Sequence, residues 1–394
     1  MNVWRLSFRY LLFHRWRSLV LIVSLSLVFF LPVGVHWLVR EYHQHLLARA
    51  GETPLLVGAK GSRFDLLFNN AYFSLESPTT IPFGELDKAE SDDLAIAIPL
   101  HVRFTAKKFP IIGTTLDYFD FRKLTLATGT FPQILGDAVI GSRVAAALNL
   151  RVRDKLISDP ANLFDISKVY PLRMPVVGIL RERSSPDDDG VFVDLRTAWI
   201  IDGIGHGHQD APQTGNQLPG TILSRSEATS THLTFNDSIV QFNEITPENL
   251  RSFHFHGNDA EFPLTGLIVI PKDQKGSTII QGRYSASVDR QMIEPLSVIE
   301  DLMRTIFKVE KLFDLFFILV AVSSLLFLGL ATFLSIRTRE REMEILFMIG
   351  CGKGTVAWIC ASEIVLILAC SGILAVVLSA MLVHWAPGLS LILL

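Results

Sequence analysis

Charge is scarce in this chain, and where it is missing decides the class. Only 19% of the 394 residues are charged, against 49% hydrophobic, and the mean hydropathy is +0.37. Average soluble domains carry about a quarter charged residues. Residues 18–39 and 315–336 contain no Asp, Glu, Lys or Arg, and neither do residues 364–394. Each run reaches the roughly 20 residues that take a helix across about 30 Å of hydrocarbon. Lipid offers backbone groups no hydrogen-bond partner, so runs of this kind satisfy themselves as helices. The missing charge excludes an ordinary soluble protein.

Cysteine is nearly absent. The three present, Cys351, Cys360 and Cys370, all lie in the C-terminal membrane region. The long segment between the first two spans has none, which excludes a disulfide framework there. That segment must fold on its own apolar core, and it is long enough to do so. No strong charge excess exists either: the net charge of -3 gives no electrostatic footprint for nucleic acid. A small-residue cleavage site after the first apolar run is lacking as well, and the run exceeds the usual length of a signal peptide. It therefore reads as an uncleaved anchor.

Basic residues set the orientation. Arg5, Arg9, Arg15 and Arg17 precede the first span without an acid among them, and Arg337, Arg339, Arg341 and Lys353 mark the other short loop. Cytoplasmic loops are enriched in such residues. The expected organisation is a cytoplasmic or interfacial amphipathic segment at 1–17, a first span at 18–39 and an outer α+β domain at 40–313. A second span at 314–336, a cytoplasmic loop at 337–355, a third span at 356–385 and a short tail at 386–394 follow. The fold class is thus a membrane protein with helical spans and a large α+β extracytoplasmic domain. In residues 2–16, Trp4, Phe8, Leu11 and Leu12 share one helical face, as in a helix lying against membrane lipid. Pro32 and Gly34 are candidates for a kink in the first span.

Short β-type runs recur in the outer segment at 54–57, 94–98, 102–106, 110–113, 139–141, 175–180 and 191–193, punctuated by Gly, Pro and Asp. Helical pieces are expected at 142–148, 196–200 and 297–304. Residues 202–231 are polar and rich in Gly, Gln, Ser and Thr, and read as a long mobile insertion dividing the outer domain into two lobes. Regular structure is expected to resume at 266–270.

The order of these parts carries a family resemblance. The cytoplasmic run Arg339-Glu340-Arg341-Glu342-Met343-Glu344-Ile345-Leu346, followed by Ile349-Gly350, resembles the Arg/Glu-rich loop after the second span of MacB/FtsX/LolC-type ABC transporter permeases. In the outer segment, Ile112-Gly113-Thr114-Thr115-Leu116-Asp117-Tyr118-Phe119, Val139-Ile140-Gly141-Ser142-Arg143-Val144-Ala145 and Val176-Val177-Gly178-Ile179-Leu180 resemble that family's MacB-like periplasmic core domain. The resemblance implies a non-catalytic permease subunit in a bacterial inner membrane, with the large domain in the periplasm. It implies a separate cytoplasmic ATPase as partner, a second permease copy in a homo- or heterodimer, and a periplasmic adaptor or substrate protein. ATP is then used by the partner to move the outer domain, for export or extraction of a substrate. An alternative within the resemblance is a signalling subunit that controls a periplasmic enzyme. The family has a fourth span, which is not expected in this chain.

Arg337, Arg339, Glu340, Arg341, Glu342 and Glu344 place charges of both signs directly after an apolar span, suited to docking in a groove of a soluble partner. Met343, Leu346 and Phe347 supply an apolar side, although Phe347 stands where the family pattern leads one to expect a basic residue. Cys351-Gly352-Lys353-Gly354-Thr355 lacks the upstream glycine of a phosphate-binding loop, so ATP is not expected to bind this chain.

Six of the eleven histidines form pairs: His43/His45, His206/His208 and His254/His256. Positions i and i+2 of a strand share a face, so His-x-His offers two imidazoles to one metal. His206, His208, His254 and His256 are therefore candidate zinc ligands, with Asp210 or Asp259 as a further donor. That opens a third reading, a zinc-handling system of the same architecture. Asp187-Asp188-Asp189-Gly190 fits a calcium loop poorly and reads better as a turn before a strand. Glu363 lies in the third span, and an intramembrane acid is a functional candidate by default.

Overall fold

The computed structural model describes residues 3–74, 78–160, 171–207, 222–225, 233–235, 243–338, 341, 344, 345, 348 and 350–389. It divides into two compact units, Leu47–Ile299 on one side and Met1–Leu46 with Glu300–Leu394 on the other. The chain opens with α1 (Val3–Phe13) and α2 (Arg15–Gly51). α2 runs well past the apolar stretch that signals it. Helical propensity continues through polar residues after 39, so the segment expected to begin the outer region at 40 is still helix, and the outer unit starts at Leu47. Pro32 sits inside α2 without ending it.

The outer unit is built on β1 (Leu55–Ala59), β2 (Ile81–Pro82), β3 (Ala95–Ala106), β4 (Phe109–Thr114), β5 (Leu126–Gly129), β6 (Ala138–Ile140), β7 (Lys155–Ile157), β8 (Leu172–Leu180) and β9 (Val191–Asp194). These are followed by β10 (Gly205–Gly207), β11 (Ile222–Arg225), β12 (Leu233–Phe235), β13 (Asn243–Glu244), β14 (Phe253–Phe255), β15 (Pro263–Leu264), β16 (Gly266–Pro271) and β17 (Arg290–Ile293). One mixed sheet takes eleven of them, in the order β13-β8-β6-β9-β4-β3-β16-β1-β17, with β5 and β7 also on β8. The β4–β9, β6–β8 and β13–β8 pairs are parallel. The two runs expected at 94–98 and 102–106 are one strand, β3, with a register shift between Val102 and Phe104 where it meets β4. β8 buries every second residue, as a half-covered strand does.

The helices of this unit are α3 (Arg63–Tyr72), α4 (Glu85–Glu90), α5 (Leu116–Phe121), α6 (Ser142–Leu148), α7 (Leu195–Ile201) and α8 (Gln274–Ser285). Local chemistry starts several of them. Ser62 accepts a hydrogen bond from the Asp65 backbone N–H at the head of α3, and Asp194 accepts one from the Arg196 N–H at the head of α7. The expected division into two lobes is not found. β1, β16 and β17 share a sheet with β4, β6, β8 and β9, and the unit is a single compact body. What divides is the core. One cluster gathers Leu55, Val57, Ala97, Leu267 and Val269; the other gathers Ile111, Ile140, Met174, Val176 and Val191. α7 joins both, with Leu195 and Trp199 in the first and Ala198, Ile200 and Ile201 in the second. A short helix buried on two sides ties the halves together. Of the expected insertion, 208–221 and 226–231 lie outside the described residues.

α9 (Pro295–Thr338) and α10 (Lys353–Leu389) complete the described chain. The separate helix expected at 297–304 is the first part of α9, because no breaker stands between residue 295 and the apolar run. Among the described residues three helices are long and apolar enough to cross a membrane: Arg15–Gly51, Pro295–Thr338 and Gly354–His384. In the unit they form, Leu11, Leu21, Leu25, Leu328 and Ile367 pack into a small core. Ser7 and Ser362, both buried, share a hydrogen bond of 2.5 Å between their hydroxyls. Elsewhere these helices turn Leu, Val and Phe side chains outward, among them Leu315, Leu326 and Val376. Water would penalise such a surface, and a bilayer accommodates it. The chain is a membrane protein with a large mixed α/β domain outside its apolar helices.

Candidate functional site

The histidine pairs gain a specific geometry in the outer unit. β10 and β14 form an isolated antiparallel ribbon in which His206 stands opposite His254, Gly205 opposite Phe255 and Gly207 opposite Phe253. Alternation then sorts the ribbon into two faces. A Cβ on Gly205 would fall 2.6 Å from the Phe255 ring, and one on Gly207 would fall 2.8 Å from the Phe253 ring. The glycines therefore let those rings lie against the backbone. Phe255 packs in turn on Trp199 and Phe262, with ring centroids 6.4 and 5.9 Å apart.

His206, His254 and His256 share the other face. His256 follows His254 by two residues and meets the same side of the ribbon. The ring centroids lie 5.0 Å apart for His206 and His254, 4.9 Å for His206 and His256, and 4.6 Å for His254 and His256. One ring nitrogen of each lies within 4.8 Å of those of the other two. His254 Nδ1 is 3.1 Å from the Ser252 carbonyl oxygen. A carbonyl only accepts, so in this contact Nδ1 is the donor. Three of the four expected ligands thus come together. His208 and Asp210 lie outside the described residues, and Asp259 is not part of the cluster. The remaining pair is separated by helical geometry: His45 sits 3.3 Å from Glu41, and His43 packs edge-on against Phe307.

A second polar centre was not legible in the sequence. Arg49, in the last turn of α2, donates to both carboxylate oxygens of Asp187, at 2.7 and 2.9 Å, and to the Ala71 carbonyl and the Tyr118 hydroxyl, each at 2.8 Å. Tyr118 donates its own proton to Asp187 at 2.6 Å. All three side chains are buried. Burial alone would raise the Asp187 carboxyl, but Arg49, with Arg122 and the Tyr118 hydroxyl, holds it below the ordinary carboxylate range. Burial pushes the Tyr118 hydroxyl up. Arg122, whose own ionisation burial and the nearby Arg49 disfavour, donates to the Thr53 hydroxyl at 2.7 Å. Nothing in the spacing of the chain links residue 49 to residue 187. The only hint was an arginine among the apolar Leu46, Leu47, Ala48 and Ala50.

The aspartate run is accounted for by this network and its neighbours. Residues 186–189 form a 3₁₀ turn before β9, as expected for a turn rather than a cation loop. Asp188 accepts from the Ser142 hydroxyl and from the backbone N–H groups of Arg183 and Ser185. Asp189 pairs with the Arg143 guanidinium. Each carboxylate is committed within the protein. A cleft of about 620 Å³ opens nearby, lined by Thr115, Gln133, Asp194, Arg196, Leu250 and Phe253 among others.

In the membrane unit, Arg337, Arg341 and Glu344 are exposed. So are Ile345 and Met348, the latter 79% exposed. Arg339, Glu340, Glu342, Met343, Leu346 and Phe347 lie outside the described residues. Glu363 is buried in α10, next to the Ser362 that bonds Ser7. His36 Nε2 lies 3.3 Å from both Glu310 and Asp314, a link between α2 and α9 that sequence reading did not foresee.

Residues 315–393 match the family model described as FtsX-like permease C-terminal. No curated protein sequence matches the chain. Among solved structures, the chain is similar to the periplasmic region of MacB from Actinobacillus actinomycetemcomitans, at 8% identity and a TM-score of 0.37, covering 66% of this chain and 97% of that one. It is also similar to the extracellular domain of the noncanonic ABC-type transporter YknZ from Gram-positive bacteria, at 9% identity and a TM-score of 0.33, covering 61% of this chain and 98% of that one. A domain of a putative permease protein from Porphyromonas gingivalis aligns at 10% identity and a TM-score of 0.27, covering 61% of this chain and 86% of that one. The apolar helices and the mixed α/β domain make the chain a membrane protein, and its residues 315–393 are similar to the C-terminal part of FtsX-like permeases.

Proposed function

We propose that this chain is the membrane-spanning permease subunit of an ABC-type transporter, lying in a bacterial inner membrane with its large domain in the periplasm. It catalyses no reaction. A separate cytoplasmic ATPase supplies the energy, and a second permease copy completes the assembly. ATP-driven movement is passed through the helices to the outer domain, which exports or extracts a substrate. The observation that carries this reading is the match over 315–393, which takes in the second span, the charged segment that follows it and the third span.

The chemistry of that segment supports the docking role. Arg337 in the last turn of a 44-residue helix and Arg341 and Glu344 just beyond it are exposed, and so are Ile345 and Met348. Solvated charges of both signs around apolar side chains are the composition of a partner-binding edge. Arg339, Glu340, Glu342, Met343, Leu346 and Phe347 belong to the same segment by sequence. Glu363, a buried acid in the third candidate span, is assigned a part in coupling on the cost of placing an acid there.

The test is copurification followed by turnover. The chain should bring down a small soluble ATPase from its native membrane and stimulate its ATP hydrolysis. Replacing Arg341 and Glu342 by alanine should abolish that stimulation while leaving the chain in the membrane. Unchanged ATP turnover in the assembled variant complex overturns the docking role.

A further inference from the structure

The ribbon β10–β14 brings three imidazoles, with no carboxylate beside them among the described residues, to one point on the outer unit, and the geometry points to a binding site for one divalent transition-metal ion held by His206, His254 and His256. Packing does not account for the cluster. Phe253 and Phe255 fill the core side of the ribbon, while His206 and His256 are exposed and His254 is half-buried. The histidine side is thus not needed to bury apolar surface, yet it carries the same residue type at all three positions.

The ligand set selects the ion. Imidazole nitrogens suit zinc, copper and nickel, whereas calcium and magnesium require oxygen. A tetrahedral zinc with bonds of about 2.0–2.1 Å sets its nitrogens about 3.3 Å apart. The three nitrogens already lie within 4.8 Å of one another. Rotations of exposed side chains close the difference without moving a backbone that the ladder and the two phenylalanines hold in place. The Ser252 carbonyl supplies the outer contact typical of a metal-bound histidine, since it orients the His254 ring from Nδ1. Three ligands come from the described residues, and a tetrahedral ion takes a fourth donor besides them. It is independent of the permease reading and stands or falls separately.

The experiment uses the full chain in detergent, stripped of metal by a chelator and titrated with Zn²⁺ in competition with a chromophoric chelator. One ion per chain is expected. His206→Ala and His256→Ala should each weaken it by about 10- to 100-fold or more. His43→Ala with His45→Ala should leave it unchanged. Co²⁺ should produce visible d–d bands in the native chain that the His206→Ala and His256→Ala double variant lacks. Size-exclusion elution and thermal melting of that variant, whose altered rings are exposed, should match the native chain in the absence of metal. No Zn²⁺ uptake by the native chain, or uptake unchanged in the double variant, overturns the site.

Discussion

Arg49 forks onto Asp187 with both oxygens engaged, at 2.7 and 2.9 Å, in a part of the outer domain that water does not reach. The pair fixes the last turn of α2 within that domain, with Tyr118 and the Ala71 carbonyl completing the arginine's partners.

Removing one partner should be far worse than removing both. Asp187→Asn leaves the Arg49 charge buried and uncompensated, at a cost of about 3–5 kcal/mol in the unfolding free energy of the outer domain. Arg49→Met combined with Asp187→Leu should cost clearly less than the sum of the single changes. Chemical denaturation of the four proteins in a double-mutant cycle measures the difference.

The same pair gives a sign to the acid response. The folded Asp187 carboxyl lies below its unfolded value of about 3.9, so its contribution is complete above that pH and is lost as pH falls toward the depressed folded value. The native chain should therefore lose stability below about pH 4 more steeply than Asp187→Asn. Melting temperatures measured across that window should converge as the pH falls.

Gly205 and Gly207 should matter to metal binding although neither offers a ligand. An alanine Cβ at Gly205 would press on the Phe255 ring at 2.6 Å and must displace it. Overpacking of this kind costs about 1–3 kcal/mol and would spread the ribbon. Gly205→Ala should weaken Zn²⁺ in the competition titration, and the rise in melting temperature on adding Zn²⁺ should shrink with it.

Charge reversal at Arg341 together with Glu344 should leave folding unchanged, since both are exposed. Surface substitutions away from packed features usually stay within about 0.5 kcal/mol. Stimulation of the partner ATPase should nevertheless be lost. Equal melting temperatures with unequal ATP turnover separate a docking role from a structural one.

How much was legible beforehand depended on the range of the interaction. The strand at β9, the helix at α6 and the three apolar runs were readable because alternation, helical period and missing charge are written in neighbouring residues. The polar continuation of α2 past residue 39 was not, since a change in composition does not by itself end a helix. The single sheet was not legible either. β1 and β17 lie more than two hundred residues apart in sequence, yet they pair directly.

The histidines show the same division. By itself the sequence determined that His-x-His pairs exist and that each, on a strand, would share one face. Only the tertiary structure decided that His206 stands opposite His254 while His43 and His45 are spent on a helix, because register is set by the pairing of distant strands. The membrane class needed no such information: an uncharged run of twenty residues has one way to satisfy its backbone in lipid. The Arg49–Asp187 clamp needed all of it, since a buried ion pair is created by burial, and burial belongs to the folded chain.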